Sequence, residues 1–394
     1  MSDLAGLEKG RAWEYRVHRA AFLSGWYVRR NVNLKERVAG SPQTMGEVDL
    51  LGVAFEPSLT QSSLVAECKD RKGGAREADR VIWLLGLRQA LRADHVMFAK
   101  PKVSEGAYIW ARPHDVWLWD EAAVQAIETA HGVSADIGYG GSFHPRAAFT
   151  LPSKEQKSAL GGLKAAWDYL SGAFWYERNP ARAKKVAGYF EAVLQGTRSA
   201  EQRDHLVAEG LLALIACALQ TAGHLSRVSP ARSKVWLYEV FSAGIAPASA
   251  LRDIAARADD YYRDAWMRTN RAKDARSPLN VPRLADHVAE PPEWIGEYHQ
   301  LAIQLGRRPE LATDLLRYSE LVLFDECLRS DQILENLLSG VGADHGELRR
   351  LLQLTAYFVQ RAWGVDSDLI RRLSGGSPGA PTREPLQLPL EGSN

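Results

Sequence analysis

With 394 residues, 46% of them apolar, the chain holds enough material for two domains with cores of their own, and its 49 basic and 48 acidic side chains nearly cancel to a net charge of +1. That balance excludes a strongly polycationic or polyanionic protein and leaves any nucleic-acid contact to a local basic patch. No apolar run approaches ~20 residues and the opening MSDLAGLEKGR lacks an apolar segment, so neither a membrane span nor a secretory signal is expected. Cys68, Cys217 and Cys327 lie far apart without zinc or CxxC spacing, which points to a reduced, cytoplasmic setting.

In chain order, Leu7–Ser24 has a helical apolar period, with Glu14 and His18 four apart on one face, and Gly25 should end it. Trp26–Val32 reads as a first strand and Asn33–Thr44 as a polar, charged loop. Gly46–Phe55 and Leu64–Lys69 read as strands separated by the turn formers of Pro57–Ser63, and should pair antiparallel as a hairpin. A basic turn, Asp70–Gly74, precedes a helix over Glu77–Ala93 with Val81, Leu84, Leu85, Leu87 and Leu91 as its buried stripe. Asp94–Ala99 is a strand, Ser104–Ala111 a short helix, Asp115–Trp119 a strand and Asp120–Ala130 a helix. Residues 1–131 thus form an α/β domain, a mixed sheet flanked by helices.

Gly132–Pro152, rich in glycine and proline, reads as a linker. Beyond it the strand signal disappears. Helices are expected at Lys154–Trp175, Pro180–Leu194, Ala200–Thr221, Ser233–Phe241, Ala248–Met267, Trp294–Leu305, Pro309–Arg329 and Glu347–Trp363, so residues 153–374 form an all-α domain without a fixed-period repeat. The Gly/Pro/Ser-rich residues 375–394 should be disordered.

The chemistry concentrates in Met45–Asp70. Alternation places Glu67 and Lys69 on one strand face and Cys68 on the other, and the neighbouring strand Gly46–Phe55 brings Asp49 beside them. The plain alternative is a solvated strand end with cross-strand ion pairs. Against it, apolar Leu64-Val65-Ala66 runs into Glu67, and Asp49 is bracketed by Val48 and Leu50-Leu51.

Asp49, then Glu67-Cys68-Lys69, resembles the active-site motif of the PD-(D/E)XK, or restriction-endonuclease-like, nucleases, in particular the Mrr-type enzymes and Holliday-junction resolvases. The segment Gly10–Ala21 with Glu14, followed by Gly25-Trp26-Tyr27-Val28, resembles their leading helix and its turn into the first strand. Glu47-Val48 stands where the name-giving proline would precede the aspartate. The likeness covers about the first third of the chain.

The resemblance implies a metal-dependent nuclease, a DNA endonuclease more than an RNA enzyme, using Mg2+ with Mn2+ as a substitute, and often a homodimer. Asp49, Glu67 and the Cys68 carbonyl would be metal ligands, Glu14 would hold a metal water or a second ion, and Lys69 would orient or deprotonate the attacking water. A deprotonating lysine needs its pKa lowered, which adjacent carboxylates oppose. His18, Arg71, Lys72, Arg76, Arg80 and Gln89 are candidate nucleic-acid contacts, each with an ordinary alternative as a solvated or core residue.

In the helical part, Trp167, Trp175, Tyr176, Tyr189 and Phe190 recur at helical spacing and are expected in the core rather than as a base-stacking platform, although Arg178, Arg182, Lys184 and Lys185 lie nearby. The basic cluster Arg268–Arg276 is a solvated or nucleic-acid-facing segment. By domain layout alone the helical domain would sense a trigger or recruit a protein partner, as in restriction or antiphage defence. The alternative is a catalytically silent nucleic-acid-binding or scaffold module.

Overall fold

Helix α1 (Lys9–Leu23) turns Trp13, Val17, Ala20 and Ala21 inward and stops where Gly25 takes a φ of +97°, a conformation that favours glycine. This computed structural model describes residues 9–38, 41–70, 77–134, 140–143, 161–197, 199–243, 248–270, 290–342 and 344–374. Strands β1 (Tyr27–Val38), β2 (Ser41–Phe55), β3 (Gln61–Cys68), β4 (His95–Ala99) and β5 (Val116–Trp119) form one sheet in sequence order. The β1–β2 and β2–β3 pairs are antiparallel, and the β3–β4 and β4–β5 pairs parallel. The expected hairpin is therefore present, in the register Leu50↔Ala66 to Phe55↔Gln61.

Helix α2 (Glu77–Leu91) crosses from β3 to β4 and packs on both, with Val81 and Leu84 buried. Ser104 caps α3 (Glu105–Ala111) by accepting the Ala107 N–H, and Asp120 caps α4 (Glu121–Ala130) by accepting the Ala123 N–H. Glu128 of α4 is buried and takes both Arg16 and Arg19 of α1, at 2.7 and 2.6 Å.

One expectation fails here. Asn33–Thr44 is not a loop: β1 runs to Val38 and β2 starts at Ser41, paired through a register shift after Leu34. A polar ribbon satisfies its backbone through the ladder as well as an apolar one does, so composition misled.

Among the described residues the remaining α-helices are α5 (Gly161–Leu170), α6 (Ala183–Gly196), α7 (Ala200–Leu225), α8 (Pro230–Ala243), α9 (Ala248–Asn270), α10 (Ile295–Gly306), α11 (Ala312–Leu321), α12 (Glu335–Leu338), α13 (His345–Trp363) and α14 (Asp368–Leu373). Residues Val322–Leu328 continue α11 as a π-helix. No strand occurs among the described residues from 161 onward, as expected. Helix α7 corrects the sequence reading on one point. It is long and apolar enough to cross a membrane, yet its apolar window is wholly buried among the other helices, so it is the core helix of this region.

The helical part and the sheet share one continuous cluster of buried side chains. Arg29 of β1 reaches Glu209 of α7 at 2.7 Å, Arg182 reaches Gln61 of β3 at 3.1 Å, and Arg178 reaches Asp94 at 2.5 Å. Thr313 of α11 caps the end of β2, its hydroxyl accepting the Phe55 N–H at 2.6 Å and donating to the Phe55 carbonyl. Helix α7 approaches the β2–β3 turn so closely that a Cβ on Gly223 would stand 2.4 Å from the Leu59 carbonyl oxygen.

Of the expected linker, residues 135–139 and 144–152 lie outside the described residues, as does the expected tail 375–394. Of the described parts, Gly132–Ser134 follows α4 directly, and Gly140–Phe143 is wedged between α1 and α11 with its π-helical continuation.

Candidate active site

The β2–β3 ladder stops at Leu50↔Ala66, and beyond that point a side chain takes over from the backbone. The Asp49 Oδ2 accepts the Cys68 N–H at 2.7 Å. This pins the Asp49 carboxylate against β3 on the face that carries Glu67 and Lys69. Lys69 Nζ stands 2.7 Å from Glu67 Oε1 and 3.6 Å from Asp49 Oδ2, so one ammonium group bridges both carboxylates. Arg80, from the first turn of α2, adds a guanidinium 3.3 Å from Glu67 Oε1. Cys68 points the other way and is buried, as alternation requires.

Glu67 is only 3% exposed, and burial raises its pKa, reinforced by Asp49 and opposed by the Lys69 hydrogen bond. Glu14 of α1 belongs to the same electrostatic group. Burial and then the Asp49 charge raise its pKa, while Lys69 and Arg30 pull it down. Two carboxylates, Glu14 and Glu67, that each feel the Asp49 charge across a half-buried patch form with it a site that gains from a cation. Among the described residues, however, no three His, Cys, Asp or Glu side chains converge on a ready-made metal position. The cationic groups at hand are Lys69 and Arg80.

Lys69 does not meet the requirement for a general base. Burial alone would lower its pKa, but the hydrogen bond it donates to Glu67 and the Asp49 charge outweigh it and the net shift is upward. It is an ammonium group at neutral pH, suited to orienting a water or contacting a phosphate.

His18 requires a correction too. At 1% exposure it cannot touch a nucleic acid. Its Nε2 lies 3.0 Å from the Asp49 carbonyl oxygen, which can only accept, so Nε2 carries the proton and Nδ1 is the buried, unpartnered nitrogen. Burial, and then Arg30, lower its pKa to about 3, so it is neutral. The Asp49 carbonyl is available to it because Asn31, on β1 opposite Asp49, kinks to a φ of +51° and leaves the ladder between Arg30↔Leu50 and Val32↔Val48. His18 thus holds Asp49 from behind, and the ring of Phe143 stacks on it with centroids 5.8 Å apart.

The other candidates divide. Arg71, Lys72 and Arg76 lie outside the described residues. Gln89 is exposed on α2 but does not join the site: nine positions after Arg80, it sits about half a turn out of phase and roughly 13 Å along the axis. In the helical part Trp175, Tyr189 and Phe190 are buried core residues, as expected. Of their basic neighbours, Arg178 and Arg182 tie the helices to β3, and Lys185 pairs with Glu177 at 2.9 Å.

Sequence reasoning missed Asn31, Phe143 and the pair Glu320 and Asp325. Glu320 Oε1 accepts the Ser142 N–H at 2.8 Å, and Asp325 Oδ1 accepts the Gly141 N–H at 2.6 Å while paired with Arg329. Together they anchor the turn that presents Phe143 to His18. The only sequence trace of this is a Gly-Gly-Ser-Phe run inside a segment that otherwise reads as connector.

Searches against protein-family models, curated proteins and solved structures return no match for this chain.

Proposed function

We propose that the chain is a Mg2+-dependent phosphodiester hydrolase of the restriction-endonuclease-like kind, acting on DNA. The observation that carries the reading is the Asp49–Lys69–Glu67 bridge at the end of a β-hairpin, with Glu14 coupled to it from the preceding helix. The order of the elements adds support. A helix precedes three antiparallel strands, and a crossover helix leads into the parallel β4, which is the layout that the motif implies.

The donor set suits a hard cation. Mg2+ takes carboxylate and carbonyl oxygens and keeps several waters, and Asp49 and Glu67 already share one positive group. Asp49, Glu67 and the Cys68 carbonyl would hold the ion, with Glu14 on one of its waters or on a second ion. When bound, it supplies charge neutralisation at the phosphate and a lowered pKa for a coordinated water.

The chain's own groups do the rest. The Cys68 N–H and the His18 donor fix the carboxylate and the backbone of Asp49, so the ligand is held before any substrate arrives. Lys69, a retained ammonium group, orients the attacking water and stabilises the negative charge that builds on the phosphate. Lys69, and more weakly Arg80, oppose the desolvation that favours the protonated form of Glu67.

A second reading, a silent binding or scaffold module, draws on the lack of three converged donors among the described residues. One assay separates the two: cleavage of plasmid, linear duplex and single-stranded substrates with Mg2+ or Mn2+, wild type beside Asp49→Ala and Lys69→Ala. Metal-dependent cleavage that both substitutions abolish is the expected result. Cleavage unchanged in both variants overturns the site, and binding without cleavage under every condition favours the module.

A further inference from the structure

α9 packs on α8 near its start, where Ala255 is buried, but every residue from Asp260 to Arg268 is exposed. Ile254 is 64% and Tyr261 79% exposed, with Tyr262 beside them at 54%. A helical segment of this kind gains little from propensity alone and is normally held by packing of its apolar stripe.

The stripe has a seven-residue period. Leu251, Ala258 and Ala265 repeat at one position, with Ile254, Tyr261 and Arg268 three residues after each. The charges around it are arranged with equal economy. Arg263 pairs with Asp260 along the back of the helix at 3.5 Å. Arg257 and Asp264, seven residues apart on one flank of the stripe, make no ion pair within the chain among the described residues.

We propose that α9 is a self-association surface and that its occupant is the α9 of a second copy, packed antiparallel. In that arrangement Ile254 meets the layer of the partner's Ala265, and Ala258 that of the partner's Tyr261. Flank positions of the same kind then face each other, so Arg257 pairs with the partner's Asp264, and the two-fold axis repeats the pair. A parallel pairing would set Arg257 beside the partner's Tyr262 and leave both charges unmatched. Charge complementarity therefore selects the orientation as well as the partner. The inference is independent of the chemistry assigned to the carboxylate site.

The test is the mass of the full chain in solution, by light scattering and sedimentation equilibrium, with helicity checked by circular dichroism. Wild type is a dimer, and the Ile254→Glu/Tyr261→Glu double variant is a folded monomer at the same concentration. Arg257→Asp alone and Asp264→Arg alone each weaken the dimer by about tenfold or more, because symmetry creates two like-charge contacts, while the combined swap returns to within about threefold of wild type. A wild-type chain that stays monomeric at ~100 µM overturns the proposal. So does a dimer indifferent to the two glutamates, or a swap that fails to rescue. A monomer that instead binds single-stranded nucleic acid through Tyr261 and Tyr262 also overturns it, in favour of a stacking surface.

Discussion

Replacing Glu320 by Gln should stabilise the protein, by an amount that grows with pH. Glu320 is buried on α11; its Oε1 is satisfied by the Ser142 N–H, and its Oε2 has no hydrogen-bond partner. Burial lifts its pKa from 4.5 to about 7, with Arg29 and the Ser142 hydrogen bonds pulling it down and Glu209 pushing it up. The folded value lies above the unfolded one, so the native state holds this proton more tightly. The associated stability is fully present below the unfolded pKa of 4.5 and is lost as pH rises through the folded value of about 7. At about 1.4 kcal/mol for each pH unit between the two, the full loss is about 3 kcal/mol. Gln keeps the acceptor for Ser142 and cannot ionise, so the variant escapes the loss. Urea unfolding of both proteins from about pH 5 to pH 8 should show Glu320→Gln gaining about 2–3 kcal/mol over wild type across that range and little more above it. A difference that stays constant with pH would refute the assignment.

Other consequences follow from the same neighbourhood. His18→Phe keeps a ring against Phe143 but removes the donor to the Asp49 carbonyl. It should cost about 1–2 kcal/mol in unfolding experiments and, on the nuclease reading, raise the Mg2+ concentration needed for activity by about 10–100-fold. In wild type, nitrogen NMR should find His18 neutral with its proton on Nε2 at every pH from about 5 to 8. Its lowered pKa means that stability is present above 6.5 and falls as pH drops from 6.5 toward about 3. Gly141→Ala should destabilise by about 2–3 kcal/mol, because Gly141 has a φ of +60° and a Cβ there would stand 2.9 Å from Glu320 Cγ. A neutral result by thermal unfolding would show that this turn is not the anchor described.

Much of the sheet was legible in the sequence, and the reason is physical. Apolar runs at Val48–Val53 and Leu64–Ala66, split by Pro57 and Ser58, admit little other than a hairpin, and the two-residue side-chain period then puts Asp49, Glu67 and Lys69 on one face. The longer β1–β2 ribbon was not legible, because residues 33–44 are polar and only their pairing partner makes them strands. Nor could a helical period say that His18 is buried or that its ring is neutral, since both depend on what packs around it from elsewhere in the chain, including Arg30 and Phe143, the latter more than a hundred residues away. Helix α7 hid its role differently. From Leu206 to Gly223 it is apolar around its whole circumference, interrupted by Glu209, Gln220 and Thr221, and only the packed structure shows what those polar groups meet: Arg29, the Arg178 carbonyl and the Tyr298 hydroxyl.

The way Asp49 is held bears on what the helical region is for. Its carboxylate is fixed locally by the Cys68 N–H, but its carbonyl is fixed by His18, and His18 is backed by Phe143. Phe143 is presented by a turn whose two preceding N–H groups are held by Glu320 and Asp325 of the helical region, carboxyls that burial lifts to about 7 and about 6. An unbroken line of contacts therefore runs from α11 and its π-helical continuation to the backbone carbonyl of Asp49, the residue that the nuclease reading makes a metal ligand. Contacts alone do not transmit anything; a two-state element is needed. Ionisation of Glu320 near neutral pH would bias such an element, since a charged Oε2 without a donor favours an arrangement that hydrates it at the expense of the Ser142 contact. If the helical region regulates the site, this turn is the part of the molecule through which it would act.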